Sequence, residues 1–213
     1  MALDQDRIRE TYDRVASEYC RRYFHDLDRR PLDRELLARF ALTVRDLGPV
    51  ADVGCGPGGT TRFLKDRGLD VFGMDLSKGM IEAARGLNRD IRFITGDFET
   101  PEIDGGALAG LCAYYAIVHC SEAGLERALA SFRQVLRPGG TMLLSFYAGE
   151  GTVRVEEFLG QASAPLEFIF FPLEAILQRL RRDGWIVEEA LVRQAYRAVE
   201  YPSRRGYVLA RKP

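Results

Sequence analysis

The sequence predicts an α/β domain whose core is a doubly wound, mostly parallel sheet with helices on both faces. Three observations carry that prediction. Beyond Gly48-Pro49, short apolar runs alternate with stretches of helical periodicity; a glycine-rich run from Gly54 to Gly59 lies between the first apolar run and the next helix; and the chain ends in two apolar runs joined only by a loop. Strands separated by helices return parallel through crossovers. A connection without a helix favours an antiparallel hairpin instead.

The elements follow in order. Gln5 to Tyr19 has helical periodicity, and Leu32, Leu36, Leu37, Phe40, Val44 and Leu47 form the apolar face of a second helix that Gly48-Pro49 stops. Val50 to Val53 reads as a strand, Thr60 to Arg67 as a helix, Asp70 to Met74 as a strand, and Lys78 to Arg85 as a helix with Ser77 as its N-cap. Ile91 to Thr95 and Ala107 to Tyr115 are the next strands. Leu125, Ala128, Leu129, Phe132, Val135 and Leu136 then share a helical face, and Arg137-Pro138-Gly139-Gly140 turns into a strand from Thr141 to Phe146. Pro172 opens a helix that Gly184 ends, and Trp185 to Val192 with Arg205 to Ala210 form the closing hairpin.

Composition narrows the function classes. Across 213 residues, 46% are hydrophobic, enough for one sizeable core, and no repeat or linker divides the chain, so residues 1–213 are expected to form a single domain. A formal net charge of -1 provides no global field toward nucleic acid or an anionic membrane, so neither is expected as a partner. Cys20, Cys55, Cys112 and Cys120 lack metal-ligand spacing and read as reduced thiols, so no metal is expected. The amino terminus, charged from Asp4, lacks the apolar run of a secretory signal, and no apolar stretch is long enough to span a bilayer; a cytoplasmic protein is expected.

Asp52-Val53-Gly54-Cys55-Gly56-Pro57-Gly58-Gly59 joins a strand to a helix. Glycines there let a ligand approach the backbone, and the helix start offers unpaired N–H groups, the geometry of a nucleotide or adenosyl pocket. Gly54, Gly56 and Gly59 also satisfy the dinucleotide pattern GxGxxG. Asp75, at the end of the second strand, suits a ribose diol, because a carboxylate offers two acceptors to two hydroxyl donors; a helix-capping role beside Ser77 is the structural alternative. Gly96-Asp97-Phe98 offers an acceptor and an aromatic edge to an adenine.

In this order and spacing, these motifs resemble those of the class I S-adenosylmethionine-dependent methyltransferases. Asp52 to Gly58 resembles their first motif, Asp75 their ribose-binding acid, Gly96-Asp97-Phe98 their adenine-contacting turn, and Leu136 to Gly140 the turn before their fifth strand. Tyr12 to Tyr19 is similar to the opening helix of the small-molecule branch, so residues 1–47 are expected to cap the site. The resemblance implies a seven-stranded, Rossmann-like sheet whose last strand enters antiparallel. It implies S-adenosyl-L-methionine as cofactor, S-adenosyl-L-homocysteine as product, and cofactor contacts from Tyr12, Tyr19, Asp52, Gly54, Cys55, Gly56, Gly58, Asp75, Leu76, Met80, Gly96, Asp97, Phe98 and Tyr114. An NAD(P)-binding oxidoreductase shares the loop and the acid, but a Tyr-x-x-x-Lys pair and a second domain are missing. A non-catalytic sensor or scaffold that binds the cofactor is a third reading.

Methyl transfer from a sulfonium is an in-line displacement that asks mainly for alignment and a dry pocket. His119, just beyond the fourth strand, is the candidate general base or positioning residue. Tyr115, His119, Tyr147 and Phe171 are the candidate contacts to the acceptor, although the Phe168 to Phe171 cluster also suits a core. Glu156-Glu157 suits either a cationic acceptor or a solvated loop. A small-molecule acceptor is expected; its identity, the methylated atom and the oligomeric state have no signature.

Overall fold

The computed structural model describes residues 5–161 and 166–213. The first four residues, where the charged start of the chain was read, lie outside the described residues.

Seven strands form one sheet in the order β3-β2-β1-β4-β5-β9-β8. β1 (Val50–Val53), β2 (Val71–Asp75), β3 (Arg92–Thr95), β4 (Leu108–Tyr114) and β5 (Leu136–Ala148) run parallel, and β9 (Arg204–Arg211) enters antiparallel between β5 and β8 (Ile186–Arg193). The expected closing hairpin is therefore present. Side chains alternate across the sheet with the two-residue period of a strand. Leu111, Ala113, Met142, Leu144 and Phe146 face a core built with α5 (Glu122–Val135) and α6 (Leu173–Arg182), while Cys112 and Leu143 face α2 (Pro31–Val44) and α3 (Gly59–Lys65). The remaining helices, α1 (Gln5–Tyr23) and α4 (Lys78–Leu87), pack on each other through Val15, Ala16 and Met80.

The structure moves several expected boundaries. α2 stops at Val44, Asp46 adopts a left-handed backbone (φ 61°) and Leu47 is 46% exposed, so Leu47 leaves the apolar face assigned to it. The turn expected at Arg137 to Gly140 is absorbed as a bulge: the register runs from Leu108 opposite Leu136 to Gly110 opposite Thr141, and Gly139 (φ 76°) donates to the carbonyl of Lys212. A short hairpin of β6 (Thr152–Val155) and β7 (Leu166–Ile169), absent from the sequence reading, lies outside the main sheet.

Candidate functional site

The carboxyl ends of β1, β2 and β4 converge on the glycine loop. Gly54 has φ 65°, and a Cβ there would sit 2.7 Å from Cβ of Ala116, so the loop passes where a side chain has no room. Beneath it Asp52 is buried and accepts a 2.6 Å hydrogen bond from the Thr61 hydroxyl; burial pushes its carboxyl up to about 7 against the pull of that bond. Asp75 accepts from the Gly56 N–H (2.8 Å) and the Ser77 N–H (2.9 Å) and so holds the loop to the start of α4. Burial raises its carboxyl above the usual range, and the two N–H donors oppose that. Two of its roughly four lone-pair directions remain. The α4 cap is Ser77, as the sequence predicts, whose hydroxyl accepts from the Met80 N–H and donates to Asp13.

Asp75, Leu76, Met80, Asp97 and Phe98 line a cavity of about 430 Å³, together with Tyr12, Tyr19, Gly54, Gly56, Tyr114 and His119. Gly96 stands behind it, against Met74. Gly58 is also set back: it caps α3 in a left-handed conformation (φ 84°), and a Cβ there would strike Phe93.

β4 ends one residue earlier than the sequence suggests because Tyr115 takes a left-handed backbone (φ 56°), held by a 2.9 Å bond from its N–H to the Ser145 hydroxyl. The chain then turns through a 3-10 segment, Ala116–His119, that swings the imidazole back over the pocket. His119 Nδ1 donates to the carbonyl of Glu167 (2.6 Å), so the ring tautomer leaves Nε2 to accept from the Tyr12 hydroxyl at 2.8 Å. Burial holds the imidazole down at about 4, against the Glu167 bond, which raises it.

A second cavity, of about 420 Å³, shares Tyr12, Tyr19, Gly54, Gly56, Tyr114 and Tyr115 with the first. Its far walls are aromatic, from Tyr23, Tyr147, Phe158, Phe168 and Phe170, and charged, from Asp26, Arg30, Glu200 and Arg205. Tyr147 and Tyr115 thus face it as the sequence suggests, and Cys55 and Asp52 close its glycine-loop end. Phe171 does not: it is 1% exposed and packs in the α5–α6 core. Glu156 and Glu157 are exposed, and Glu156 pairs with Arg154.

A family model described as "Methyltransferase domain" matches residues 50–140, the segment from β1 to the bulge of β5 that carries the glycine loop, Asp75 and the β4 turn. Over residues 50–140 the chain thus matches a methyltransferase domain, in line with its resemblance to the class I S-adenosylmethionine-dependent enzymes. Among its relatives, the malonyl-[acyl-carrier protein] O-methyltransferase of Enterobacter lignolyticus is 29% identical over 148 residues, 70% of this chain and 56% of the relative. The chain thus spans about half the length of the curated relatives it matches first. Of solved structures, the DhpI–SAH complex superposes with TM-score 0.73 at 24% identity, covering 98% of this chain and 96% of that one. A methyltransferase from Methanosarcina mazei gives TM-score 0.70 at 14% identity over 77% of this chain and 92% of its own. At those identities the likeness is one of fold.

The residues present fit the cofactor of this methyltransferase family. Asp75 retains acceptor capacity inside the first cavity, Asp97 and Phe98 also line it, and Gly54, where a Cβ would strike Ala116, lines both cavities. Among the described residues no cluster of His, Cys, Asp or Glu is placed to hold a metal, and no helix is long and apolar enough to cross a membrane. Motif reasoning missed the charged wall of Arg30, Glu200 and Arg205. Only Arg30-Pro31 left a trace in the sequence, since a residue before proline is held extended.

Proposed function

We propose that the chain transfers the methyl group of S-adenosylmethionine to a small molecule that enters the second cavity. One observation carries the reading: the cavity with acceptors for an adenosyl group and the aromatic cavity share Tyr12, Tyr19, Gly54, Gly56, Tyr114 and Tyr115, so donor and acceptor meet at a common wall. Bound cofactor would supply an already activated methyl. What the chain adds is alignment and exclusion of water. Asp75 would take the ribose hydroxyls, Asp97 and Phe98 the adenine, and the glycine loop the amino-acid end. Tyr12 and Tyr19 from α1 would close over the junction, so residues 1–47 act as the cap. The Enterobacter relative is an O-methyltransferase by name, which favours oxygen as the methylated atom here. The near-neutral charge and the enclosed aromatic wall favour a small acceptor over nucleic acid, and four free cysteines suit a cytoplasmic enzyme.

Calorimetry tests the cofactor half directly. S-adenosylmethionine and S-adenosylhomocysteine should bind more tightly than NAD, and Asp75→Ala should weaken both by at least about tenfold through loss of charge-assisted hydrogen bonds. NAD binding with no S-adenosylmethionine binding would return the oxidoreductase reading. Tight binding without transfer to any acceptor in a cell extract, followed as a gain of one methylene mass, would leave the sensor reading.

A further inference from the structure

Ser77 stands between two carboxylates. Its N–H donates to Asp75 Oδ1 at 2.9 Å and its hydroxyl donates to Asp13 Oδ1 at 2.6 Å, so a single residue joins the acid proposed for the ribose to an acid of α1. The same Asp13 oxygen accepts from the Gly79 N–H at 2.8 Å. The first turn of α4 carries no acid of its own, although a helix start with unpaired N–H groups favours one. Asp13 supplies it from outside the helix: the Ser77 hydroxyl meets the Met80 N–H, and Asp13 meets that of Gly79.

Packing fixes the same contact. A Cβ on Gly79 would lie 3.0 Å from the Asp13 carbonyl oxygen, 3.1 Å from its Cα and 3.2 Å from the Ala16 Cβ, so α1 rests directly on α4. The neighbouring Tyr12 reaches His119 at 2.8 Å, and Tyr12 and Tyr19 line both cavities. The helix is thus seated on α4 by Asp13 and on the β4 exit by Tyr12. Asp75 continues the chain, since its Oδ2 takes the Gly56 N–H of the glycine loop.

Resting on the methyltransferase reading, we infer that Asp13 is a positioning residue for the cofactor: it holds Ser77, and through Ser77 the Asp75 carboxylate, in the orientation that meets the ribose. Asp13 lines neither cavity, so it acts through its neighbours. Its charge is not what the site uses. Burial raises the Asp75 carboxyl and the nearby Asp13 charge adds to that rise, while Asp13 Oδ2 makes no hydrogen bond among the described residues. One oxygen that accepts twice is the working part.

The test titrates S-adenosylhomocysteine calorimetrically into the intact protein and follows urea unfolding of the same samples. Asp13→Ala removes the shared acceptor and should weaken binding about five- to thirtyfold. Asp13→Asn keeps an oxygen for both donors and drops the like charge beside Asp75, so its affinity should stay within about threefold of wild type. In an Asp75→Ala background the Asp13→Ala change should weaken binding by less than about twofold, because its route to the cofactor is gone. Should Asp13→Ala fail to fold, Gly79→Ala carries the test: the added Cβ pushes α1 off α4 with every hydrogen-bonding group retained, and affinity should again fall at least about fivefold. Unchanged affinity in Asp13→Ala with a lower urea midpoint would make the contact purely structural. An Asn variant as weak as the Ala one, or the full loss persisting in the Asp75→Ala background, would also overturn the assignment. Failure of the wild-type protein to bind S-adenosylhomocysteine strikes the methyltransferase reading instead.

Discussion

A base must have a lone pair to offer, and that of His119 Nε2 is taken by the Tyr12 hydroxyl while Nδ1–H is committed to Glu167. With its imidazole held down at about 4, the ring is neutral through the physiological range, and its protonation would leave the Tyr12 bond without an acceptor. The rate should therefore show no inflection from this residue between about pH 5.5 and 8, well above its depressed value and across the ordinary one near 6.5. His119→Ala should lower stability by about 1–3 kcal/mol, since it strands a buried hydroxyl and a carbonyl, while kcat changes less than about tenfold; His119→Asn should recover much of the loss. A hundredfold fall in kcat, with a wild-type rate that climbs through an imidazole titration, would instead make it the base. The glycine loop, Asp75, Tyr12 and His119 were legible because each sits in a local pattern of strand end, turn and helix start. Asp33, Arg193, Glu200 and Arg205 were not: Arg193 meets Asp33 across 160 positions, and no spacing rule links them.

Between residues and fold, the element that sets the site is the β4 exit, where left-handed Tyr115 and the 3-10 turn press Ala116 onto Gly54. Gly54→Ala would add a left-handed penalty of roughly 1–2 kcal/mol and a Cβ 2.7 Å from that of Ala116. The turn must then move, so affinity for S-adenosylhomocysteine should fall by at least about tenfold while circular dichroism stays near wild type. Adding Ala116→Gly removes the facing Cβ and should restore part of the affinity; a double variant no better than the single one would show that backbone strain alone is responsible. The same contrast explains which elements could be read from sequence. The parallel strands and amphipathic helices announce themselves by period, because each buries a face. β6 alternates Thr152 and Arg154 with Val153 and Val155, but over only four residues, none of them buried, the pattern is too short to stand out. Tyr115 gives no glycine to betray its positive φ.

At the scale of the molecule, the first helices and the last strands are joined by one buried polar network. Asp33 on α2 accepts from Tyr114 of β4, Tyr207 of β9 and Arg193 of β8, and Arg193 passes on to Glu200, itself fully covered. Asp33→Ala leaves Arg193 and two hydroxyls short of an acceptor and should cost about 3–5 kcal/mol, a fall in Tm of roughly 6–20 °C. The network and the glycine loop also give the fold two pH limbs of opposite sign. Burial alone would raise Glu200, but Arg193 and the Tyr196 N–H bring it down to about 2, so its stabilisation is full above the ordinary carboxylate value near 4.3 and is lost as pH falls from there through 2. Asp52, lifted by burial to about 7, behaves in reverse: its contribution is complete below about 4 and is lost as pH rises through 7. Urea unfolding followed from pH 2.5 to 8.5 should separate them, with Glu200→Gln flattening only the acid limb and Asp52→Asn, which can keep the Thr61 hydrogen bond, flattening only the decline between about pH 4 and 8. Curves for both variants that run parallel to wild type at every pH would show that neither carboxylate governs the stability profile.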